Sequence, residues 1–139
     1  MGRTVPMTVR FSVRGDVADD ELSALHARAF GSGATSAIPW RRRLEQHSLT
    51  WVLAFDGDRL VGFVNVAWDG GAHAFLLDTA VDPSHRGHGI GRHLVGLAAR
   101  EATEAGCAWL HVDFEADLTR FYLHACGFRP TSAGVLRLR

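Results

Sequence analysis

One short segment, Val81 to Val95, combines residue types that bind anions and metals. Three glycines stand at alternate positions, Gly87, Gly89 and Gly91, with Arg86 before them and histidines among them. Such a segment could cradle a phosphate, hold a metal ion through its histidines, or form a flexible turn. The choice among these depends on the elements that flank the segment.

An apolar run with strand character precedes the segment, and apolar residues at helical spacing follow it from Ile90. At a strand-to-helix junction the first helical amides have no partner within the helix, and together with the helix dipole they form an anion site. The glycines let a diphosphate approach the backbone closely, and the guanidinium of Arg86 suits phosphate oxygens. The position of the segment therefore favours an anion-binding loop, with a simple flexible turn as the alternative.

Two other glycine-rich phosphate motifs fit less well. A Walker loop requires a lysine, and all 15 basic residues of this chain are arginine. A dinucleotide-binding loop would begin at Gly87 and Gly89 and use Asp113 as its ribose-binding acid. Arg92, however, stands at the third small position of that motif, and too little sheet follows for a dinucleotide domain.

The composition limits the class of protein. The 139 residues are 47% hydrophobic and 22% charged, which is typical of one globular domain. A formal net charge of zero gives no reason to expect a nucleic-acid or membrane partner. Cys107 and Cys126 lack metal-ligand spacing and are expected to be reduced in a cytoplasmic protein. The histidines at 85, 88 and 93 are loosely spaced, so no metal site is predicted.

The chain as a whole predicts a mixed α/β domain over residues 7–139, preceded by a flexible extension of residues 1–6. Helices are predicted over residues 16–30, 40–46, 90–105 and 117–126. Strands are predicted over residues 7–13, 49–55, 59–68, 72–81 and 109–114, with one or two closing strands in 128–137. This order indicates a mixed sheet with helices on both faces.

Two motifs in the sequence resemble those of a known family. Arg86-x-x-Gly89-x-Gly91, preceded by Ala80-Val81-Asp82-Pro83, resembles motif A of the GNAT superfamily of acyl-CoA-dependent N-acyltransferases. FYLHACGF at residues 121–128 resembles the family's C-terminal tyrosine and Gly-Phe signature. The resemblance covers nearly the whole chain from Met7. It implies a GNAT-like α/β fold: a central, mostly antiparallel sheet, splayed between its fourth and fifth strands, with helices on both faces.

The resemblance also implies acetyl-CoA as co-substrate. The glycine loop would bind its pyrophosphate, and the end of the preceding strand would hydrogen-bond its pantetheine arm. The residues expected to contact the cofactor are Thr79, Ala80, Val81, Arg86, Gly87, His88, Gly89, Ile90 and Gly91.

The implied reaction is direct attack of a primary amine on the thioester, which requires an acid for the departing sulfur and a base for the amine. Tyr122, the only tyrosine, matches the family's usual acid. Asp78 lies in an apolar strand, where an unpartnered carboxylate is costly, so it is either the base or a structural hydrogen-bonding group. Glu115 stands where the family often has asparagine, and it is either a catalytic carboxylate or a helix-start charge.

In the family, acceptor selection usually comes from the first two helices and their loop. Phe30 and Trp40 are therefore expected to line the acceptor site, with Trp68 as a further wall residue, while the run 41–43 is expected to be a solvated helix face. The acceptor is a small-molecule or peptide amine, and the family often forms homodimers through its closing strands. A non-catalytic acyl-CoA sensor or partner module and a nucleotide-binding regulatory domain are the alternative functions.

Overall fold

The computed structural model describes residues 4–33 and 36–139. Five strands form one sheet in chain order: β1 (Val9–Val13), β2 (Ser48–Asp56), β3 (Arg59–Trp68), β4 (His73–Val81) and β5 (Trp109–His111). The first three pairings are antiparallel and the last is parallel. The helices are α1 (Asp19–Phe30), α2 (Trp40–His47), α3 (Ile90–Glu104) and a π-helix (Arg120–Ala125), with short 3-10 turns at Pro83–His85 and Ala116–Leu118. The predicted mixed α/β fold is confirmed.

Strands β2 and β3 are buried along almost their whole length because helices cover both faces of the sheet. On one face, α3 packs Ile90, Leu94 and Ala98 onto the central strands. On the other face, α1 and α2 contribute Leu25 and Leu44 to a second cluster. Strand β4 therefore lies between two helical layers, with one face turned toward each.

The sheet is splayed where β4 and β5 separate, as the resemblance implied. Their pairing is confined to three residue pairs, from His73 with Trp109 to Phe75 with His111. Beyond Phe75 a cleft of about 960 Å³ opens between β4, α3, β5 and the π-helix. Leu76 and Leu77 of β4 line this cleft, and within the described residues no strand pairs with β4 beyond Phe75 on this side.

A β-bulge interrupts β4 beside the cleft. Phe63 pairs with Ala80 and Asn65 pairs with Leu77, so one residue of β3 opposes both Asp78 and Thr79. Asp78 has a φ of +57°, in the left-handed region that few residues other than glycine adopt. The bulge changes the direction of two consecutive side chains, which the sequence pattern did not indicate.

Three predicted elements differ in the structure. Helix α1 begins at Asp19 and not at residue 16, because the carboxylate of Asp16 binds the guanidinium of Arg41 instead of capping the helix. The predicted helix over 117–126 is a 3-10 turn followed by a π-helix. The predicted strand over 109–114 ends at His111, where its pairing with β4 stops.

The closing strands predicted in 128–137 are absent from this part of the described chain, and residues 129–139 are exposed. Pro130 has no amide hydrogen for a ladder, and β5 offers only three residues for pairing. Of the predicted N-terminal extension, residues 1–3 lie outside the described residues, and Val5 packs against the α3-side core.

Candidate active site

The glycine loop ends at the N-terminus of α3 with free amide donors. Gly87 and Gly89 adopt φ angles of +79° and +81°, and Gly89 precedes the first helical residue. The first hydrogen bond within the helix runs from the amide of His93 to the carbonyl of Gly89, at 3.1 Å, and no side chain of the described residues caps the N-terminus. The amides before His93 are therefore left as donors for an anion, which is the arrangement that a diphosphate requires.

Gly91 has a packing role in addition to the one expected from the sequence. A Cβ atom at this position would lie 3.2 Å from two ring atoms of Phe121. The missing side chain lets the π-helix approach the first turn of α3. The glycine loop and Tyr122, which follows Phe121, are thereby held at a fixed separation.

Arg86 connects the glycine loop to the end of α1. Its guanidinium donates hydrogen bonds to the carbonyl oxygens of Ala29, at 2.8 Å, and Val81, at 3.3 Å. Ala29 lies in the last turn of α1, where carbonyl groups lack helical partners and attract cations. The side chain of Arg86, which was predicted to contact the cofactor, therefore stabilises the position of the glycine loop in this structure.

Asp82 anchors the end of β4 and is 2% exposed. Its carboxylate accepts hydrogen bonds from Arg28 at 3.0 Å, from Arg59 at 3.1 Å, and from the amide and hydroxyl of Ser84 at 3.0 and 2.7 Å. Burial alone would raise the pKa of this carboxyl, but these hydrogen bonds outweigh it and hold the pKa well below its usual range. The sequence analysis missed this anchor, although Asp82 directly precedes the Pro83 that ends the strand.

Tyr122 lies in an aromatic cluster on the α3 face of the sheet. Its ring stacks on Phe114 at 4.9 Å between centroids and meets Phe121 and Phe128 edge to face at 4.8 and 5.9 Å. Burial raises the pKa of the phenol, and the nearby side chain of Thr79 only partly offsets this. Tyr122 is therefore protonated at neutral pH and meets β4 at the bulge.

Asp78 points to the opposite face of β4, toward α1. Its Oδ1 atom lies 3.1 Å from Nε2 of His26, and each side chain is 24% exposed. The ring of His26 contacts Phe30 at 4.5 Å and Trp40 at 5.4 Å between centroids. The two consecutive bulge residues therefore point to opposite faces of β4: Asp78 points toward α1, and Thr79 points toward Tyr122.

His26 was missed by the sequence analysis. It stands four residues before Phe30, so both side chains lie on the same face of α1. That spacing was the available signal, because Phe30 was already an expected acceptor-site residue.

The other expected acceptor-site residues are placed differently. Phe30 is 54% exposed beside His26, whereas Trp40 is 1% exposed, and its indole N–H has no hydrogen-bond partner among the described residues. Trp68 pairs with Ala74 at the far end of β3, away from the bulge. The structure therefore brings Phe30 to the Asp78 side of the site and leaves Trp68 outside it.

Glu115 is exposed and begins the 3-10 turn, where its carbonyl oxygen accepts a hydrogen bond from the amide of Leu118. Within residues 4–33 and 36–139, its carboxylate forms no hydrogen bond or ion pair with Asp78 or Tyr122. Its placement corresponds to the helix-start interpretation.

Two of the three loop histidines have local partners. His85 lies 2.8 Å from a carboxylate oxygen of Asp56, and His93 packs on the ring of Phe11 at 4.2 Å. The described part of the chain contains no group of three or more metal-ligating side chains. None of its helices is both long and apolar enough to cross a bilayer.

Comparisons with known proteins agree with this geometry. The model of the acetyltransferase (GNAT) family matches residues 19–128. The mycothiol acetyltransferase of Rhodococcus jostii (strain RHA1) is 36% identical over 61 residues, which are 44% of this chain and 20% of that protein. The match therefore spans about a fifth of the length of this relative.

Two solved structures share the fold. The aminoglycoside N-acetyltransferase AAC(6')-Iy, in complex with a CoA-linked bisubstrate analogue, has a TM-score of 0.76 and 17% identity, covering 94% of this chain and 97% of its own. A probable acetyltransferase of meticillin-resistant Staphylococcus aureus has a TM-score of 0.72 and 22% identity, covering 94% and 99%. The co-substrate of this family is acetyl-CoA. The glycine loop and the splayed sheet of this protein agree with the family match over residues 19–128. This match shows that the chain belongs to the GNAT acetyltransferase family.

Proposed function

We propose that this protein is an N-acetyltransferase that transfers the acetyl group of acetyl-CoA to a primary amine by direct attack. The observation that carries the proposal is the bulge in β4, which turns Asp78 toward α1 and Thr79 toward Tyr122. A base and an acid on opposite sides of one strand suit a reaction in which the amine and the thioester approach from opposite faces.

Acetyl-CoA fits the loop and the open edge of β4. The free amides at residues 88–91 would bind the pyrophosphate, and Gly87 leaves the space beside it open. Ala80 and Val81 pair with β3, Thr79 lies in the bulge, and no described strand pairs with these residues on the other side. This outer edge would hydrogen-bond the pantetheine arm. Arg86 would hold the loop in place through its hydrogen bond to the carbonyl oxygen of Ala29 in α1.

The residues favour direct transfer over a covalent intermediate. Asp78 takes a proton from the amine, whose lone pair attacks the thioester carbon, and Tyr122 protonates the sulfur as the carbon–sulfur bond breaks. Cys126 is the thiol nearest to Tyr122 that could carry an acyl group, but burial raises its pKa to about 11. A protonated thiol is a poor nucleophile at neutral pH.

The acceptor side supports a small amine. The half-buried carboxylate of Asp78 and the exposed ring of Phe30 both attract an ammonium group. The names of the relatives, a mycothiol acetyltransferase and an aminoglycoside acetyltransferase, also denote small-molecule acceptors. We propose a cytoplasmic enzyme whose acetyltransferase domain spans residues 7–139, with a small amine as its second substrate.

Two measurements test the proposal. Isothermal titration should show binding of acetyl-CoA at submillimolar concentration, and failure to bind would reject the cofactor assignment. Transfer to a panel of amines (an aminoglycoside, an amino sugar, a polyamine and an amino acid) is followed by release of free CoA thiol. Binding without transfer to any amine would instead favour the acyl-CoA-binding module without catalysis.

A further inference from the structure

The carboxylates of Asp78, in β4, and of Asp82, just after it, differ in how many of their oxygens accept hydrogen bonds. Asp82 has both oxygens bonded, Oδ2 by two arginines and Oδ1 by Ser84. Asp78 has one bonded oxygen, Oδ1, and no hydrogen bond from the described residues reaches its Oδ2. Asp82 is 2% exposed, whereas the side chain of Asp78 is 24% exposed. Only Asp78 therefore has an oxygen available to a substrate.

The backbone at Asp78 is held in an unfavourable conformation. Its φ of +57° lies in the region that L-residues avoid, although aspartate tolerates it better than most. The pairings on either side of the bulge, Phe63 with Ala80 and Asn65 with Leu77, impose this conformation. Such positions occur preferentially at functional sites, and here the result is a carboxylate directed at α1.

The partner of Asp78 is held rigidly. The imidazole of His26 contacts the rings of both Phe30 and Trp40, and Trp40 in turn packs edge to face on the buried ring of Phe63 at 5.3 Å. A carboxylate only accepts hydrogen bonds, so Nε2 of His26 carries the proton that Oδ1 receives. The ring orientation is thus set by the core, and the ring in turn fixes the carboxylate.

We propose that His26 is a positioning residue for acetyl transfer, holding Oδ1 of Asp78 so that Oδ2 receives the proton of a cationic primary amine. This inference rests on the proposed function and identifies the acceptor class as amines that arrive as ammonium ions. The carboxylate of Asp78 leaves Oδ2 open to a cationic group, and the exposed ring of Phe30 adds a face that attracts cations.

The proton and bond changes balance as follows. The ammonium gives one proton to Oδ2, and the freed lone pair forms the nitrogen–carbon bond. As the carbon–sulfur bond breaks, sulfur takes the proton of Tyr122, and the resulting phenolate recovers a proton from the new amide nitrogen. Asp78 then releases its proton to solvent, so that the products are the amide, free CoA and one proton.

The test uses His26→Phe, which removes the donor and keeps an aromatic ring, and His26→Gln, which keeps a side-chain N–H donor. With an amine that the wild type acetylates, His26→Phe should lower kcat about tenfold to hundredfold, since small displacements of a catalytic group have effects of this size. The KM for acetyl-CoA should not change, and His26→Gln should recover part of the loss.

A double variant separates positioning from a general structural effect. If His26 acts through Asp78, adding His26→Phe to Asp78→Asn should cause no further loss of kcat. Leu22→Ala, which removes a buried core side chain of α1 that has no proposed role at the site, is the control: it should lower the thermal unfolding midpoint without this kinetic pattern. An unchanged kcat in His26→Phe, or losses that multiply in the double variant, would overturn the inference.

A spectroscopic measurement keeps the inference testable if the His26 variants do not fold. In protein labelled with ¹⁵N-histidine, the Nε2 resonance of His26 should show a protonated nitrogen and should shift in Asp78→Asn. A resonance insensitive to Asp78→Asn would overturn the pairing. Failure of the wild type to acetylate any amine would overturn the proposed function, whereas wild-type turnover that His26→Phe leaves unchanged would overturn this inference alone.

Discussion

Replacing Tyr122 by phenylalanine removes one hydroxyl from the centre of the proposed site and retains the ring contacts with Phe114, Phe121 and Phe128. The hydroxyl lies near the side chain of Thr79, and losing a polar contact there would cost at most about 1 kcal/mol of the free energy of unfolding. Burying a ring without a hydroxyl offsets part of this cost. The variant should therefore fold, with its stability changed by no more than about 1 kcal/mol.

The effect on turnover should be much larger than the effect on stability. A positioned general acid contributes about 10²-fold to 10⁴-fold, so Tyr122→Phe should lower kcat at least ~10²-fold, which corresponds to about 2.7 kcal/mol of activation free energy. The KM for acetyl-CoA should be nearly unchanged, because the amides of the glycine loop are untouched. Since burial raises the pKa of Tyr122, its protonated form should persist through the neutral and mildly alkaline range in the wild type.

The assay measures release of CoA thiol under saturating acetyl-CoA, with binding of acetyl-CoA followed separately by calorimetry. Cys126→Ser is a matched control, since it alters a neighbouring residue and removes no proposed catalytic group. We expect this control to keep wild-type kcat. A Tyr122→Phe enzyme with kcat within about twofold of wild type would refute the acid role, because general acid catalysis predicts a loss of at least ~10²-fold.

Three further predictions concern the surroundings of the site. Gly91→Ala should lower the thermal unfolding midpoint, because its Cβ would crowd Phe121 at a cost of about 1–3 kcal/mol; an unchanged midpoint would contradict this packing. Asp82→Ala should reduce the free energy of unfolding by about 3 kcal/mol in urea titrations. The native pKa of Asp82 is depressed, so this contribution should be complete above about pH 4 and fade as the pH falls further; a difference independent of pH would disprove it. Cys126, with a pKa of about 11, should resist iodoacetamide at pH 8 in the folded protein, as measured by mass spectrometry, and rapid alkylation would show that its pKa is not raised.

The sequence predicted the regular elements with periodic patterns well. Both bounds of β3 agree with the structure, because the turns at residues 56–58 and 69–71 enclose an apolar run of strand length. The start of α3 at Ile90 was also predicted, since apolar residues follow at helical spacing after a glycine. These elements depend on local sequence, and local sequence is what a pattern records.

Features that depend on tertiary packing were not predicted. The bulge at Asp78 arises from the register between β3 and β4, which no local pattern encodes. His26, whose imidazole contacts the carboxylate of Asp78, is 52 positions away from it in sequence. Trp40 was expected at the acceptor surface, yet α2 packs it against Phe63 in the core. The π-helix at residues 120–125 differs from an α-helix in hydrogen bonding that residue periodicity does not distinguish.

The contacts of α1 indicate how the two halves of the proposed site are held in register. Within four consecutive residues, this helix binds Asp78 through His26, Asp82 through Arg28, and Arg86 through the carbonyl of Ala29. The first contact lies at the proposed base, the second at the end of β4, and the third in the glycine loop. A displacement of α1 would therefore move the acceptor side and the cofactor loop together. Because β4 is also fixed from the other face by α3, the carboxylate and the diphosphate-binding amides keep one relative position, which acetyl transfer between two bound substrates requires.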